Sequence, residues 1–128
     1  MANYAFTVPI VSGKTETWKK YVQEREGPRK DDFTRSRQKA GLRTEQVWLQ
    51  QTPMGDMAVV VWETDNPTRV FEYFMKSNDP SDVWFREKIL IECHDMRPTG
   101  SLPPLNEQML NFKSQSVGEK VYSESRKR

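Results

Sequence analysis

The chain has 128 residues, of which 20 are basic and 18 are acidic, so its formal net charge is +2. The last ten residues hold four basic and two acidic side chains, which account for that whole net charge. The rest of the chain is neutral overall, and this argues against nucleic-acid binding. A single cysteine and a single histidine exclude a disulfide framework and a zinc site built from Cys and His.

The apolar content predicts a protein that is not embedded in a membrane and that pairs with itself. No apolar run approaches the roughly 18 residues of a membrane span, and the N-terminus lacks the pattern of a signal peptide. We therefore expect a cytoplasmic protein in which Cys93 is a buried free thiol. Hydrophobic residues make up only 35% of the chain, which predicts a homodimer that completes its core at an interface.

The first third of the chain reads as a strand followed by an interrupted helix. Apolar residues alternate over residues 4–11, which is the period of a strand. A helix follows, with Thr15 or Thr17 as its N-cap. Gly27-Pro28 predicts a break in this helix, and Gly41 is a natural residue just past its end.

Two strands joined by a hairpin follow. Residues 45–50 alternate, with Val47 and Leu49 on one face and Trp48 between two glutamines on the other. Residues 52–56 carry the proline and glycine of a tight turn. Residues 58–62 are apolar on both faces, which predicts a central strand.

The second half predicts two helices, a short strand and a tail. Asn66-Pro67 is a helix start, and Asp79 and Asp82 are expected to cap a further helix that ends near His94. A short last strand is predicted from Met109, Leu110 and Phe112. Residues 1–113 then form the domain, and residues 114–128 a flexible polar tail.

This order of elements predicts an α+β domain of the ferredoxin-like βαββαβ type, with an antiparallel four-stranded sheet and helices on one face. The apolar residues of the third strand would leave the other sheet face bare. Two copies that press these faces together would form a dimeric α/β barrel with an internal cavity.

Several motifs resemble a known family when they are taken in order: Glu45-Gln46-Val47-Trp48-Leu49-Gln50, Asp79-Pro80, Trp84-Phe85, His94-Asp95 and Pro103-Pro104. They are similar to uncharacterised small bacterial proteins described as dimeric α/β barrels of the antibiotic-biosynthesis-monooxygenase type. The resemblance spans residues 4–112 and implies the barrel fold and a homodimer, but no established reaction. Many members have a glycine where this chain has Asp95.

The wider superfamily includes cofactor-independent oxygenases, isomerases and haem-degrading enzymes. The resemblance therefore implies binding of a small organic molecule in the barrel cavity, in a cofactor-independent oxygenase or isomerase. The alternative is a non-catalytic ligand-binding or structural dimer. No cofactor is expected, although haem with an axial histidine stays open as an alternative.

His94 is the candidate proton-transfer residue, because it alone has an ordinary pKa near neutrality. A carboxylate is expected to orient its ring, with Glu45, Glu107 or Asp95 as the candidates. The alternative is a histidine at a helix C-terminus, stabilised by the helix dipole.

The candidate ligand-binding residues combine aromatic, amide and guanidinium groups: Trp48, Gln46, Gln50, Trp62, Phe6 and Arg37. If the Trp48 face lines the cavity, its aromatic wall and two amides suit a neutral or anionic organic molecule. Arg37 is either a carboxylate clamp at the mouth of the barrel or a surface partner of Asp31 or Asp32. Too few acidic ligands converge to predict a metal site.

Overall fold

The computed structural model describes residues 2–114 of the chain, and the predicted polar tail lies outside these residues except for its first residue. The elements are β1 (Ala2–Pro9), α1 (Thr15–Glu26), α2 (Lys30–Ala40), β2 (Leu42–Thr52), β3 (Gly55–Thr64), α3 (Pro67–Lys76), α4 (Pro80–Phe85) and a π-helical segment (Arg86–Ile91). Within this part of the chain, every helix is too short or too polar to cross a bilayer.

The three strands form one antiparallel sheet in the order β1-β3-β2, so the described part of the chain is an α+β domain with a three-stranded sheet and four α-helices. The prediction that residues 58–62 lie in the central strand is confirmed. Both β2 and β3 extend beyond their predicted ends because the hairpin between them closes tightly, with Thr52 paired to Gly55.

The predicted last strand is wrong for the part of the chain that the structure describes, since residues 101–114 form neither helix nor strand. Instead, residues 106–110 lie beside Asn3, Ala5 and Val61, on the sheet face away from the helices. A short strand is stable only when its backbone pairs with a sheet edge. This segment lies against the sheet face, and Met109 remains 83% exposed.

The predicted helix boundaries are largely confirmed. The break at Gly27-Pro28 separates α1 from α2, and Gly41 follows α2 with a left-handed φ of 91°. The Asn66 side chain accepts a hydrogen bond from the Arg69 amide at the start of α3. The threonine cap is wrong, because the Thr15 hydroxyl donates to Asp56 at 2.6 Å instead.

The core lies between one face of the sheet and the helices. This inner face carries Val8, Ala58, Val60 and Trp62, and they are buried with residues of the helices, namely Trp18, Val70, Phe71, Phe74, Phe85 and Ile89. The outer face carries Trp48, which is 51% exposed. Within residues 2–114, the helices cover the inner sheet face, whereas residues 106–110 lie against part of the outer face and leave Trp48 exposed.

A β-bulge decides which residues of β2 face the core. Leu42 pairs with Thr64, but Thr44 pairs with Glu63, so one extra residue is inserted between them. As a result Leu42 and Glu45 both face inward, although their sequence numbers differ in parity. Glu45 keeps the alternation of Val47 and Leu49, so its carboxylate lies on the inner face with them, and the bulge adds Leu42 to that face.

The last helix changes from α to π at Arg86 and turns outward after Ile91. Its final turn buries Cys93, whose thiol lies 3.3 Å from the Lys88 carbonyl oxygen. Burial, the main cause, and the nearby Glu92 raise the pKa of Cys93 to about 11, which confirms an inert thiol. Asp95 then adopts a φ of 53°, in the region that favours glycine.

Candidate functional site

A cavity of about 50 Å³ lies between the inner sheet face and the helices. Most of its lining is apolar, and its only titratable lining residues among those the structure describes are Arg25, Glu45 and His94. An apolar cleft with a few convergent polar groups is the usual form of a small-molecule site. This cavity is therefore the candidate functional site.

Three aromatic rings form one wall of the cavity. The ring centroids of Phe6 and Trp62 lie 4.8 Å apart, and that of Phe71 lies 4.7 Å from Trp62 and 5.2 Å from Phe6. Phe6 and Trp62, two of the candidate ligand-binding residues, both line the cavity. These two rings pack edge to face and the pairs with Phe71 are tilted, which holds the rings in place.

His94 lines the same cavity and makes one hydrogen bond that sets its tautomer. Its Nδ1 lies 2.9 Å from the Pro9 carbonyl oxygen at the end of β1. A carbonyl oxygen only accepts, so Nδ1 carries the proton and Nε2 is left as an acceptor. Burial, the largest effect, and the nearby Arg25 lower the pKa of His94 despite the Pro9 bond, so the ring is neutral at pH 7.

The predicted carboxylate partner of His94 is wrong, because each candidate is placed elsewhere. Glu45 bonds to arginines and to Trp62, and Asp95 pairs with Arg97 at 3.1 Å. Glu107 belongs to the exposed segment on the outer sheet face. A backbone carbonyl takes over the orienting role, since it can hold an imidazole tautomer as a carboxylate does.

Glu45 joins two buried arginines at the edge of the cavity. Its Oε1 accepts from Arg25 Nη2 at 2.9 Å and from Arg37 Nε at 3.0 Å, while Oε2 accepts from Trp62 Nε1 at 2.8 Å. The side chains of Arg25, Arg37 and Glu45 are only 9, 8 and 10% exposed. We call these three residues the ion cluster.

Each charge in the ion cluster shifts the pKa of its neighbours. Burial alone would raise the pKa of Glu45, but Arg37, Arg25 and the Trp62 bond outweigh burial and lower it to about 2. Burial and the adjacent Arg37 lower the pKa of Arg25 to about 9, although Glu45 opposes them. Arg25 and Glu45 are therefore both charged at pH 7. Two guanidinium groups and one carboxylate give the ion cluster one net positive charge.

The prediction for Arg37 is wrong in both of its forms. Arg37 is buried beneath the helices and pairs with Glu45. It is therefore neither a carboxylate clamp at the mouth of a barrel nor a partner of Asp31 or Asp32. Its guanidinium also stacks on aromatic rings, at 4.1 Å from the centroid of Phe33. The carboxylate that Arg37 holds is supplied by the protein itself.

Arg25 was not among the predicted site residues, although its position on a helix face could have indicated it. Trp18, Tyr21, Val22 and Arg25 follow the i, i+3, i+4, i+7 spacing of one helix face. A charged residue at the last position of a buried stripe indicates a buried partner. The Arg25 side chain lines the cavity and also a pocket of about 120 Å³ next to it.

Trp48, Gln46 and Gln50 do not line this chamber, since all three are exposed on the outer sheet face, and their place in a barrel interior stays a prediction. Trp48 pairs with Val59 and Gln46 with Val61, which are the outward positions of β3. The helices cover the other face because it carries the continuous apolar row that includes Val47 and Val60.

Asp79 caps α4 as predicted, with its side chain accepting from the Ser81 amide at 2.9 Å, whereas Asp82 has a different role. Asp82 is buried and accepts hydrogen bonds from the hydroxyls of Ser36, Tyr73 and Ser77. These bonds outweigh burial and lower the pKa of Asp82. Asp82 therefore ties α2, α3 and α4 together.

Comparison with known proteins does not identify the chain. No family model matches its sequence, and no curated protein matches it significantly. Among residues 2–114, no three His, Cys, Asp or Glu side chains are placed to hold a metal ion. The chemistry of the cavity is therefore the basis for assigning a function.

Proposed function

We propose that the protein binds a small organic molecule in the cavity between its sheet and its helices. The observation that carries this proposal is the lining itself: an apolar, aromatic chamber that contains an unprotonated histidine nitrogen and a buried arginine. A core that served stability alone would have no need of these two polar groups.

The size of the cavity limits the ligand to about one ring. A cavity of about 150 Å³ accommodates benzene, and the chamber here measures about 50 Å³. The neighbouring pocket of about 120 Å³ shares Arg25, Glu45 and Val47 with the chamber. Because they share these lining residues, the two spaces adjoin, and together they reach the volume that one ring needs. A porphyrin is far larger, so haem is not part of the proposal.

The catalytic form of the proposal is a proton transfer without a cofactor. Nε2 of His94 takes a proton from one atom of the ligand and returns it to another, which is the reaction of an isomerase. The Pro9 carbonyl holds the ring in the required tautomer throughout. An oxygenase would begin with the same deprotonation and then consume dioxygen, so oxygen uptake distinguishes the two reactions.

The second candidate function is a non-catalytic binding protein or structural dimer. The close packing of Phe6, Trp62 and Phe71 favours it, because their centroids lie only 4.7 to 5.2 Å apart and leave little free volume. The two candidates differ in whether replacing His94 abolishes a reaction or only alters the fit of a ligand.

We also propose that the domain is ferredoxin-like, related to the dimeric α/β barrels, and that two copies pair through their outer sheet faces. Trp48 is 51% exposed there, and the adjacent segment exposes Leu110 and Phe112 at 83 and 80%. Apolar side chains grouped in this way mark an interaction surface. The pairing would leave the cavity on the other side of each sheet accessible.

Titration with benzamide, followed through the backbone amide NMR signals, tests the binding proposal. We expect shifts at Phe6, Trp62 and His94. Ala58→Leu should abolish them, because Ala58 is buried in the cavity lining. Ala5→Leu is the matched control, since Ala5 is exposed on the other sheet face. Shifts confined to the outer face would contradict the proposal.

The state of His94 is measured independently by its ring ¹⁵N signals. We expect an Nδ1-protonated neutral ring that titrates below the ordinary pKa of 6.5, because burial disfavours the cation. His94→Gln should keep the fold and the benzamide site but lose any proton exchange on a substrate. A ring protonated on Nε2, or one that titrates above 6.5, would remove the proposed base.

A further inference from the structure

We propose that Arg25 binds a carboxylate or a similar oxyanion on the ligand, so that the cavity takes small aromatic or aliphatic acids. This inference rests on the proposed function and names its ligand class. Arg25 lines both the chamber and the adjoining pocket, so a group that passes between the two spaces meets its guanidinium.

The first argument is an unused donor. Arg25 Nε is buried and has no hydrogen-bond partner among the residues that the structure describes. Buried N–H groups are nearly always paired, and one left unpaired on a cation is costly. Its neighbour Nη2 bonds to Glu45 at 2.9 Å, so the guanidinium is held in place while its Nε–H lacks an acceptor. One oxygen of an oxyanion would supply that acceptor.

The second argument is charge. Glu45 is shared between Arg25 and Arg37, so the ion cluster keeps one positive charge in a buried place. Arg37 has a second source of compensation, because it donates at 3.3 Å to Ser36, whose hydroxyl donates to the buried Asp82. Among the described residues, the other carboxylate that acts on Arg25 is that of Glu26, which is exposed and lines the adjoining pocket. Arg25 therefore shares its one buried counter-charge, Glu45, with Arg37, and an oxyanion on the ligand would add a second partner.

Space distinguishes Arg25 from Arg37 as the binding group. Arg37 also has a buried, unpaired nitrogen, Nη2. The gap that Arg37 lines measures only about 10 Å³, which is no more than one water needs. The spaces beside Arg25 measure about 50 and 120 Å³. Among the two arginines of the ion cluster, Arg25 is therefore the one that has both an unpaired nitrogen and spaces of this size beside it.

The experiment compares two probes of equal shape, benzoate and benzamide, by calorimetry on the full chain at pH 7. We expect benzoate to bind about tenfold or more tightly than benzamide, since a charge-assisted hydrogen bond replaces a neutral one. Arg25→Gln should reduce this preference to about one. Arg43→Gln removes the same charge from an exposed site on β2 and should leave the preference unchanged.

A measurement on the native chain covers the case in which Arg25→Gln does not fold. The NMR signal of Arg25 Nε–H should move with benzoate and stay in place with benzamide. Equal affinities for the two probes, or an Arg25 Nε–H signal that does not shift when benzoate is added, would overturn the inference and leave cavity binding intact. Binding of neither probe would refute the proposed function itself, and the inference with it.

Discussion

Replacing Glu45 by glutamine tests whether the ion cluster holds the fold together. The substitution keeps the size of the side chain and removes its charge. Two guanidiniums, on Arg25 and Arg37, would then lie in the interior without the carboxylate that they share. Removing one partner of a buried ion pair typically costs about 3–5 kcal/mol, because the other charge stays buried.

The pKa of Glu45 gives a second, independent measure of how much this residue stabilises the fold. It is about 2 in the folded protein, against an ordinary value of 4.5. The folded state therefore binds a proton less readily than the unfolded state, so Glu45 stabilises the fold above pH 4.5. That stabilisation is lost as the pH falls towards 2. The difference corresponds to about 3 kcal/mol at pH 7, falling to less than half of that at pH 3.

The assay is urea unfolding, followed by tryptophan fluorescence at pH 7 and pH 3. We expect Glu45→Gln to lower the free energy of unfolding by about 3 kcal/mol at pH 7, with a much smaller difference at pH 3. Asp82 also titrates with a lowered pKa, but it is present in both proteins and cancels in the comparison.

Glu87→Gln is the matched control, because Glu87 is exposed on the π-helical segment and its loss should change stability by less than about 0.5 kcal/mol. If the free energy of unfolding of Glu45→Gln lies within about 1 kcal/mol of that of the native protein at pH 7, the ion cluster does not hold the fold together. A difference as large at pH 3 as at pH 7 would show that the Glu45 charge is not its cause.

Three further predictions concern single positions. Cys93 should resist alkylation at pH 8 until the protein unfolds, because its pKa is raised to about 11; rapid labelling of the folded chain would contradict its burial. Asp95→Gly should raise the free energy of unfolding by about 0.5–1 kcal/mol, since φ is 53°, whereas Asp95→Val should lower it; the opposite order would refute the left-handed backbone. Trp48→Lys should convert a dimer into monomers in sedimentation without loss of helix content, and a native chain that already sediments as a monomer would exclude the proposed pairing.

Local signals in the sequence were sufficient for most of the secondary structure. The break at Gly27-Pro28, the left-handed Gly41 and the capped start at Asn66-Pro67 depend on the backbone preferences of those residues alone. The central place of β3 followed from a run that is apolar on both faces. The chemistry of the aromatic and histidine residues also selected Phe6, Trp62 and His94 as candidates, and these three line the chamber between sheet and helices rather than a barrel interior between two sheets.

Only the tertiary structure decided which groups meet. The alternation in β2 showed two faces, but the position of the helices determined that the face of Glu45 turns inward and that of Trp48 outward. Arg25, Arg37 and Glu45 come from two helices and a strand, and no local spacing relates them. The partner of His94 is a backbone carbonyl, which every residue possesses, so side-chain identity could not reveal it. Sequence patterns report the preferences of neighbouring residues, whereas contacts between distant elements depend on how the whole chain packs.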